Sequence, residues 1–250
     1  MQRFFNKVAV VTGSSSGIGA AISRELVKNG LRVVGLARRI EKLKELGEEL
    51  SGKFPGEFHA LKCDVTKESE IESSFKWITA ELGPITVLVN NAGTLGHSLL
   101  TEVTGELISQ VFDTNVKAAM LWSKLAVRSM TENAIEGHII NVNSLAGHYM
   151  INTDPNLAQI YTSSKHALKI YSEALRRELF KKQIDVKVTN FSPGLVITEM
   201  TADTGLITPS SSPKTYLIPR EIAETIVLLL STPPKVSISE LTVVPIRQKL

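Results

Sequence analysis

Hydrophobic positions along the chain fall into two kinds of segment, short continuous runs and longer stretches with a helical period. The short runs are apolar at nearly every position, as in VAVV at 8–11 and ITVLV at 85–89. Runs of this kind are typical of strands in a parallel sheet that is covered on both faces. The predicted strands are 7–12, 32–37, 58–65, 86–90, 138–143, 186–191 and 241–246.

Segments with helical periodicity separate these strands. The predicted helices are 17–29, 41–50, 68–82, 104–132, 158–182 and 219–231. A regular alternation of strand and helix implies right-handed crossovers, and it predicts an α/β fold with a Rossmann-type, doubly wound parallel sheet of about seven strands and helices on both faces. At 250 residues we expect a single domain over 1–250. Residues 194–218 have no clear period, and we interpret this long segment as a substrate-binding loop.

Composition narrows the class of protein. A hydrophobic share of 43% and a charged share of 21% are typical of a globular protein rather than a disordered or membrane chain. A net charge of +3 without basic runs longer than a pair argues against a nucleic-acid partner. No apolar stretch approaches the roughly 20 residues of an integral membrane segment. The single cysteine, Cys63, is expected to pack as a small apolar residue, and a cytoplasmic location is the default.

The segment TGSSSGIG after the first strand has two interpretations. It matches the nucleophile elbow of a hydrolase, with Ser15 as nucleophile, and it matches a glycine-rich turn that lets phosphates approach a helix N-terminus. An elbow needs an oxyanion donor from an upstream loop, and only a dozen residues precede this turn. We therefore predict a phosphate cradle formed by Gly13, Ser15, Ser16, Gly17, Ile18 and Gly19.

The end of the second strand indicates which dinucleotide would fit. An NAD-binding protein places an acidic residue there to bind the ribose 2′-hydroxyl. This chain has Arg38 and Arg39 instead, which favours NADP(H), because guanidinium groups bind the 2′-phosphate. The alternative is a solvated basic pair at the start of a helix.

Candidate catalytic residues lie later in the chain. Tyr161 and Lys165 are four residues apart on a predicted helix, so they project from one face. A nearby ammonium, together with nicotinamide charge, would lower the tyrosine pKa and allow acid–base chemistry. Ser144 ends the fifth strand at the carboxyl edge, where its hydroxyl could hold an oxyanion. A surface Tyr–Lys pair is the alternative for these two residues taken alone. The sequence contains no cluster with metal-ligand spacing, and no metal is predicted.

Five motifs occur in order: TGSSSGIG, NNAG at 90–93, NVNS at 141–144, YTSSK at 161–165 and SPG at 192–194. With this spacing the chain resembles the short-chain dehydrogenases/reductases over nearly its whole length. The resemblance implies an NADP(H)-dependent oxidoreductase acting on CH–OH groups, with Tyr161 as general acid/base, Lys165 on the nicotinamide ribose and Ser144 orienting the carbonyl. It further implies a fourth catalytic position at Asn115, for which a helix-bending polar role is the alternative.

The same resemblance assigns further cofactor contacts. Asp64 and Val65 would contact the adenine, and the NNAG segment would line the cofactor with Asn91, Ala92 and Gly93, whereas Asn90 is expected to tie strands together. The nicotinamide carboxamide would be seated by Pro193, Gly194, Val196 and Thr198. His148 is interpreted as a packing or surface residue.

The substrate is expected to be lipophilic. The segments expected to wall the pocket are apolar, namely Leu145, Tyr149, Met150, Ile151, Leu195, Ile197, Met200, Leu206 and Ile207. The segments GHIINVNSLAGH and VKVTNFSPGLVITEM most resemble the insect farnesol dehydrogenase-like branch and vertebrate NADP-dependent ketosteroid reductases. A terpenoid alcohol such as farnesol, or a ketosteroid or other carbonyl compound, is therefore the expected substrate. A non-catalytic NADP-binding regulator is the remote alternative, and the resemblance implies a homodimer or homotetramer.

Overall fold

One seven-stranded parallel sheet organises the molecule, with the strand order β3-β2-β1-β4-β5-β6-β7. The computed structural model describes residues 1–150, 155–202, 204, 206–208 and 210–248, with side chains of the helix that begins at Pro155 included from residue 159 onward. The strands are β1 (Val8–Thr12), β2 (Arg32–Ala37), β3 (Glu57–Lys62), β4 (Ile85–Asn90), β5 (His138–Val142), β6 (Lys187–Pro193) and β7 (Glu240–Val243). The predicted doubly wound fold is confirmed.

Helices cover both faces of this sheet. They are α1 (Gly17–Lys28), α2 (Ile40–Leu50), α3 (Glu68–Glu81), α4 (Gly105–Phe112), α5 (Ala118–Glu132), α6 (Pro155–Lys181), α7 (Glu199–Ala202) and α8 (Pro219–Ser231). One core cluster joins the sheet to α1, α2 and α8, and a second joins it to α3, α5 and α6. Because both faces are buried, the inner strands have the apolar runs seen in the sequence. Among the described helices, none is both long enough and apolar enough to span a membrane.

The predicted long helix over 104–132 is interrupted. It consists of α4, a π-helical turn at Asp113–Lys117, and α5. The Asn115 side chain lies in this turn and bonds to Thr94 and Ser164 outside the helix. A π turn adds one residue to the ordinary spacing, so the amphipathic period alone did not reveal it.

Three strands end two or three residues away from the predicted position, and the other strand boundaries agree to within one residue. β3 ends at Lys62 because Asp64 begins a turn in which its Oδ1 accepts the Thr66 N–H at 3.0 Å. β6 continues to Pro193 because that residue pairs with Val243 of β7. β7 ends at Val243, two residues before Pro245, which has no N–H to donate to a ladder.

The order of the strands determines at which edge of the sheet a ligand can bind. β1 lies between β2 and β4, so the chain leaves β1 in one direction for β2 and β3 and later resumes on the other side with β4. The loops after β1 and β4 therefore diverge at a topological switch point, and ligands bind in the crevice at the carboxyl ends of such strands. This edge contains the predicted site.

Candidate active site

A cavity of about 790 Å³ opens at the carboxyl ends of β1, β2, β4 and β5. Most of the predicted site residues line its wall together. They are Gly13, Ser15, Ser16, Gly17, Ile18, Arg38, Arg39, Asp64, Val65, Asn91, Ala92, Gly93, Tyr161, Lys165 and Thr198.

The remaining predicted residues lie behind or beside this wall. Asn115 is buried at 1% exposure, and the Ser144 side chain forms a hydrogen bond with Tyr161, which lines the cavity. Gly194 donates its N–H to the Val243 carbonyl at 2.8 Å, and Val196 is buried. Gly19, Pro193, Gly194 and Val196 are thus packed into the scaffold that supports the cavity.

The glycine-rich turn is held open by its backbone and by the loop after β4. Gly13 has φ of 71°, a region that favours glycine, and a Cβ there would lie 2.9 Å from the Ala92 Cα. A Cβ on Gly19 would overlap the Gly13 carbonyl oxygen. Thr12 Oγ1 accepts the N–H groups of Asn91 and Ala92, each at 2.9 Å, and fixes the two loops together. The turn therefore leaves room for a phosphate beside the N-terminus of α1.

Lys165 is a buried ammonium in the wall of the cavity. Its side chain is 4% exposed, and Nζ donates to the Val142 carbonyl at 2.9 Å. Burial lowers the pKa of Lys165 to about 8. The ammonium has three donors, so a ligand in the cavity can accept hydrogen bonds from those that Val142 does not use.

Tyr161 lies one helical turn before this lysine, with Lys165 Nζ 5.5 Å from the centre of its ring. Burial raises the pKa of Tyr161, and the hydrogen bond with the Ser144 side chain partly offsets that rise. The phenol is therefore protonated in this state. The expectation that Lys165 lowers the tyrosine pKa stays a prediction for the enzyme with its cofactor.

Ser144 owes its position to the turn that follows β5. Its Oγ accepts the Ala146 N–H at 3.1 Å and caps the short 3₁₀ turn Leu145–Gly147. Because the serine also contacts Tyr161, the end of β5 and the middle of α6 bring their hydroxyls to one point. Hydroxyl groups so placed can bond to one oxygen of a substrate.

Asn115 links the loop after β4 to helix α6 by hydrogen bonds. Its Oδ1 accepts the Thr94 N–H at 2.8 Å, and its Nδ2 donates to the Thr94 carbonyl at 3.0 Å and to Ser164 Oγ at 2.9 Å. Ser164 Oγ in turn donates to the Tyr161 carbonyl at 2.7 Å. The side chain of Asn115 thus acts on Tyr161 through Ser164.

His148 packs beneath the Ser144 turn. Its Nδ1 lies 3.1 Å from Lys169 Nζ, which can only donate, so Nδ1 accepts. Nε2 then carries the proton and lies 2.9 Å from Ser192 Oγ and 3.3 Å from Glu240 Oε1. Burial, followed by the positive charge of Lys169, lowers the pKa of His148. The residue has the predicted packing role.

Two other expectations concern buried side chains near the sheet edge. Asn90 donates to Asn141 Oδ1 at 2.8 Å and to Ser123 Oγ at 3.1 Å, so it ties β4 to β5 and α5. Cys63 is 1% exposed, and burial raises the pKa of its thiol to about 11. It packs as a neutral group, as predicted.

The ion pairs that involve Glu199 and Lys42 beside the cavity were not predicted. Glu199, the first residue of α7, has Oε2 2.8 Å from Arg39 Nη1 and Oε1 2.7 Å from Lys42 Nζ. Lys42 lies on α2, and neither residue belongs to a recognised motif. The sequence indicated these two residues only by their positions. Glu199 directly follows the predicted cofactor contact Thr198, and Lys42 lies four residues after Arg38.

Of the expected apolar wall, part faces outward and part packs inward. Leu145 is buried, whereas Tyr149, Met150, Ile197, Met200 and Leu206 are exposed. Met200 lines the cavity. Ile151 lies outside the described residues.

The sheet order, the glycine-rich turn and the Ser–Tyr–Lys cluster define a Rossmann-type oxidoreductase. The profile of the short chain dehydrogenase family matches residues 7–206. The chain is 42% identical over 250 residues to the farnesol dehydrogenase of Aedes aegypti, with 100% of each chain covered. It is 34% identical over 255 residues to dehydrogenase/reductase SDR family member 11 of Mus musculus, with 99% and 97% covered.

A solved structure has the same fold. The alcohol dehydrogenase of the archaeon Thermococcus sibiricus, in complex with 5-hydroxy-NADP, matches with a TM-score of 0.82 and 28% identity over 98% of each chain. The present chain therefore belongs to the short-chain dehydrogenase family and is an oxidoreductase. This confirms the resemblance and the predicted enzyme class, and it removes the hydrolase and the non-catalytic regulator as alternatives.

Proposed function

We propose that this enzyme transfers a hydride between NADP(H) and a lipophilic alcohol or carbonyl compound, with a terpenoid alcohol such as farnesol as the first candidate. The observation that carries the proposal is one cavity whose wall contains Tyr161 and Lys165 as well as Arg38 and Arg39. Ser144 forms a side-chain hydrogen bond with Tyr161 beside that wall. The 42% identity to a farnesol dehydrogenase over the full chain supports this substrate class.

The shape of the cavity fits a dinucleotide phosphate. The turn at Gly13 and Gly19 has no room for side chains, and the cations of Arg38 and Arg39 lie on the adjoining wall. Ser15 and the backbone N–H groups of the turn would hold the pyrophosphate, while the arginines would hold the 2′-phosphate. Asp64 and Val65 would contact the adenine. The Thermococcus relative, which is an NADP-type complex, supports the same cofactor class.

The chemistry then divides between the cofactor and three side chains. When bound, the nicotinamide supplies or accepts the hydride. Tyr161 donates its phenolic proton to the carbonyl oxygen in reduction, and it takes the proton from the alcohol in oxidation. Ser144 donates a hydrogen bond that orients that oxygen, and Lys165 binds the nicotinamide ribose with donors not used by Val142. Asn115 holds Tyr161 in place through Ser164.

Exposed apolar side chains that follow site residues along the chain support a lipophilic substrate. Tyr149 and Met150 follow the Ser144 turn, and Ile197, Met200 and Leu206 belong to the segment 194–218. Their side chains are between 39% and 67% exposed, which leaves apolar surface for a ligand to cover. We assign this segment as the substrate-binding loop.

The experiment that tests this function is an initial-rate assay of nicotinamide absorbance with purified protein. NADP⁺ with farnesol is run beside NADP⁺ with a sugar alcohol, and each is repeated with NAD⁺. We expect oxidation of farnesol with NADP⁺ and little reaction with the sugar alcohol. Equal rates with NAD⁺ and NADP⁺ would contradict the cofactor assignment, and a faster reaction with the sugar alcohol would contradict the substrate class.

Reduction of a lipophilic ketone is the second candidate. Its support is the 34% identity to a protein named a dehydrogenase/reductase, together with the protonated Tyr161, which is the form that donates a proton in reduction. A panel of ketosteroids with NADPH in the same assay separates the two candidates. Reduction of ketosteroids without oxidation of farnesol would favour the carbonyl reductase.

We further propose a homodimer or homotetramer in the cytoplasm. Exposed apolar side chains on α5 and α6, including Met120, Ile170 and Phe180, support pairing of these helices between subunits. Sedimentation of the purified protein measures the mass of the assembly. For the location, the single free cysteine supports a reducing compartment.

A further inference from the structure

Glu199 occupies a site for an anion. Each of its carboxylate oxygens is bound by a different cation, Oε2 by Arg39 Nη1 at 2.8 Å and Oε1 by Lys42 Nζ at 2.7 Å. Arg39 is itself fixed, since its Nη2 donates to Ser15 Oγ at 3.0 Å and to Ser16 Oγ at 2.7 Å. Two cations from the start of α2 thus converge on one carboxylate in the cavity wall, and the glycine-rich turn holds one of them.

The position of this ion cluster coincides with the end of β2. That is where the ribose 2′ substituent of a dinucleotide lies in this type of fold. Glu199 lines the same cavity as Ser15, Ser16 and Arg38. The hydrogen bond from Lys42, followed by the one from Arg39, lowers the pKa of Glu199 to about 2, so the carboxylate is charged at neutral pH.

Glu199 also belongs to the substrate-binding loop. It begins α7 directly after Thr198, and Thr198 packs against the glycine-rich turn, where a Cβ on Gly17 would lie 3.3 Å from its Cγ2. A contact made by Glu199 at the cofactor end of the cavity therefore fixes the beginning of the loop. An anion that displaced this carboxylate would release that contact.

We propose that Arg39 and Lys42 form a two-cation site for the 2′-phosphate of NADP(H), and that Glu199 fills the site until the phosphate displaces it. The inference rests on the proposed NADP(H) specificity. It assigns Lys42 as a specificity residue, and it assigns Glu199 as an internal competitor that couples cofactor binding to release of α7. A phosphate carries more charge and more acceptor oxygens than a carboxylate, so it can take over both contacts.

The competition has a consequence for affinity. Binding of NADPH must break the two Glu199 ion pairs, whereas NADH has no phosphate to place there. All three side chains are 42–53% exposed, and exposed ion pairs are weak, so the expected effect is modest. We expect Glu199→Gln to tighten NADPH binding about threefold to tenfold and to leave NADH binding unchanged.

The experiment is a fluorescence titration of purified protein with NADPH and with NADH, without substrate. Lys42→Met should weaken NADPH binding about threefold to tenfold and leave NADH unchanged. Matched controls exist on the same helix, because Lys44 and Glu41 form an exposed pair at 3.1 Å away from the cavity lining. Lys44→Met and Glu41→Gln should leave both affinities unchanged.

The outcomes separate this proposal from the cofactor assignment. If the unaltered protein bound NADH as tightly as NADPH, both would be overturned. If it preferred NADPH but Glu199→Gln did not tighten NADPH binding, only the competition by Glu199 would be overturned. If Glu199→Gln changed NADPH and NADH affinity equally, Glu199 would have a general role in the shape of the cavity, and the proposal would also be overturned.

Discussion

Strand β5 has a buried basic group at each end, and the two groups differ in what surrounds them. At the carboxyl end, Lys165 donates to the carbonyl of Val142 and lines the cavity. At the amino end, His138 is 1% exposed, and its Nε2 lies 2.8 Å from Thr189 Oγ1. Burial lowers the pKa of both, to about 8 for the lysine and to about 3 for the histidine.

Lys165 and His138 differ in the hydrogen-bond partners available to their protonated forms. Thr189 gives its own hydrogen to the Ile238 carbonyl at 2.6 Å, so it accepts from His138 Nε2. His138 Nδ1 has no partner among the described residues, and the charges of Lys187 and Arg3 oppose protonation further. His138 is thus locked neutral, whereas Lys165 remains able to carry charge toward a ligand. Burial alone does not identify a functional group, and access to the cavity distinguishes the two.

The largest expected effect comes from removing the reactive hydroxyl at the carboxyl end. Tyr161→Phe deletes the general acid/base and leaves the Lys165–Val142 contact in place, so turnover should fall about 100- to 10,000-fold. NADPH affinity should remain nearly unchanged, because the phenol contributes little to cofactor binding. Steady-state rates and a fluorescence titration measure the two quantities. Full activity in this variant would exclude Tyr161 as the proton donor.

The carboxyl end of β5 was predictable from the sequence to a large extent. Spacing alone placed Tyr161 and Lys165 on one face of a helix, and the end of the strand located Ser144. The neutral state of His138 was not predictable, because it depends on Thr189 and Ile238, which the sheet brings together from distant parts of the chain. The competition of Glu199 for Arg39 was hidden for the same reason, since 160 residues separate them. Local periodicity predicts elements, whereas contacts between elements require the fold.

The amino end should control stability rather than activity. Because the pKa of His138 is lower in the folded than in the unfolded state, the unfolded chain binds more protons between about pH 6.5 and 3. The free energy of unfolding is therefore fully retained above pH 6.5 and is lost as the pH falls below it. At pH 5 this histidine should account for a loss of about 2 kcal/mol.

A His138→Gln variant isolates this contribution. The amide can still donate to Thr189 but does not titrate, so its urea-unfolding free energy should depend less on pH between 6.5 and 5 than that of the unaltered protein. The reduction in slope should average about 1.1 kcal/mol per pH unit over this range and reach about 1.3 kcal/mol per pH unit at pH 5. Turnover at pH 7 should be nearly unchanged, since His138 does not line the cavity. Identical slopes in the two proteins would show that His138 is not the titrating group.

Replacement of Asn115 should change turnover far less than replacement of Tyr161, and it should affect stability as well. Asn115→Ala removes three hydrogen bonds, one buried and two partly buried, and leaves the Thr94 N–H without its acceptor, so unfolding should cost about 1 to 2 kcal/mol less. Because Ser164 links Asn115 to the Tyr161 carbonyl, turnover should also fall, by about tenfold. Ser164→Ala is the matched comparison, since it removes one of these bonds and keeps the two to Thr94.

Measured together, the two variants separate support of the fold from support of Tyr161. If Asn115 acts on Tyr161 through Ser164, both variants should lower kcat more than they change KM for the alcohol, and Ser164→Ala should cost less stability. If Asn115→Ala lost stability but kept a normal kcat, Asn115 would resemble His138, a buried polar group that contributes to the fold and not to turnover. A loss of kcat in Asn115→Ala but not in Ser164→Ala would instead assign Asn115 an action on the site that bypasses Ser164.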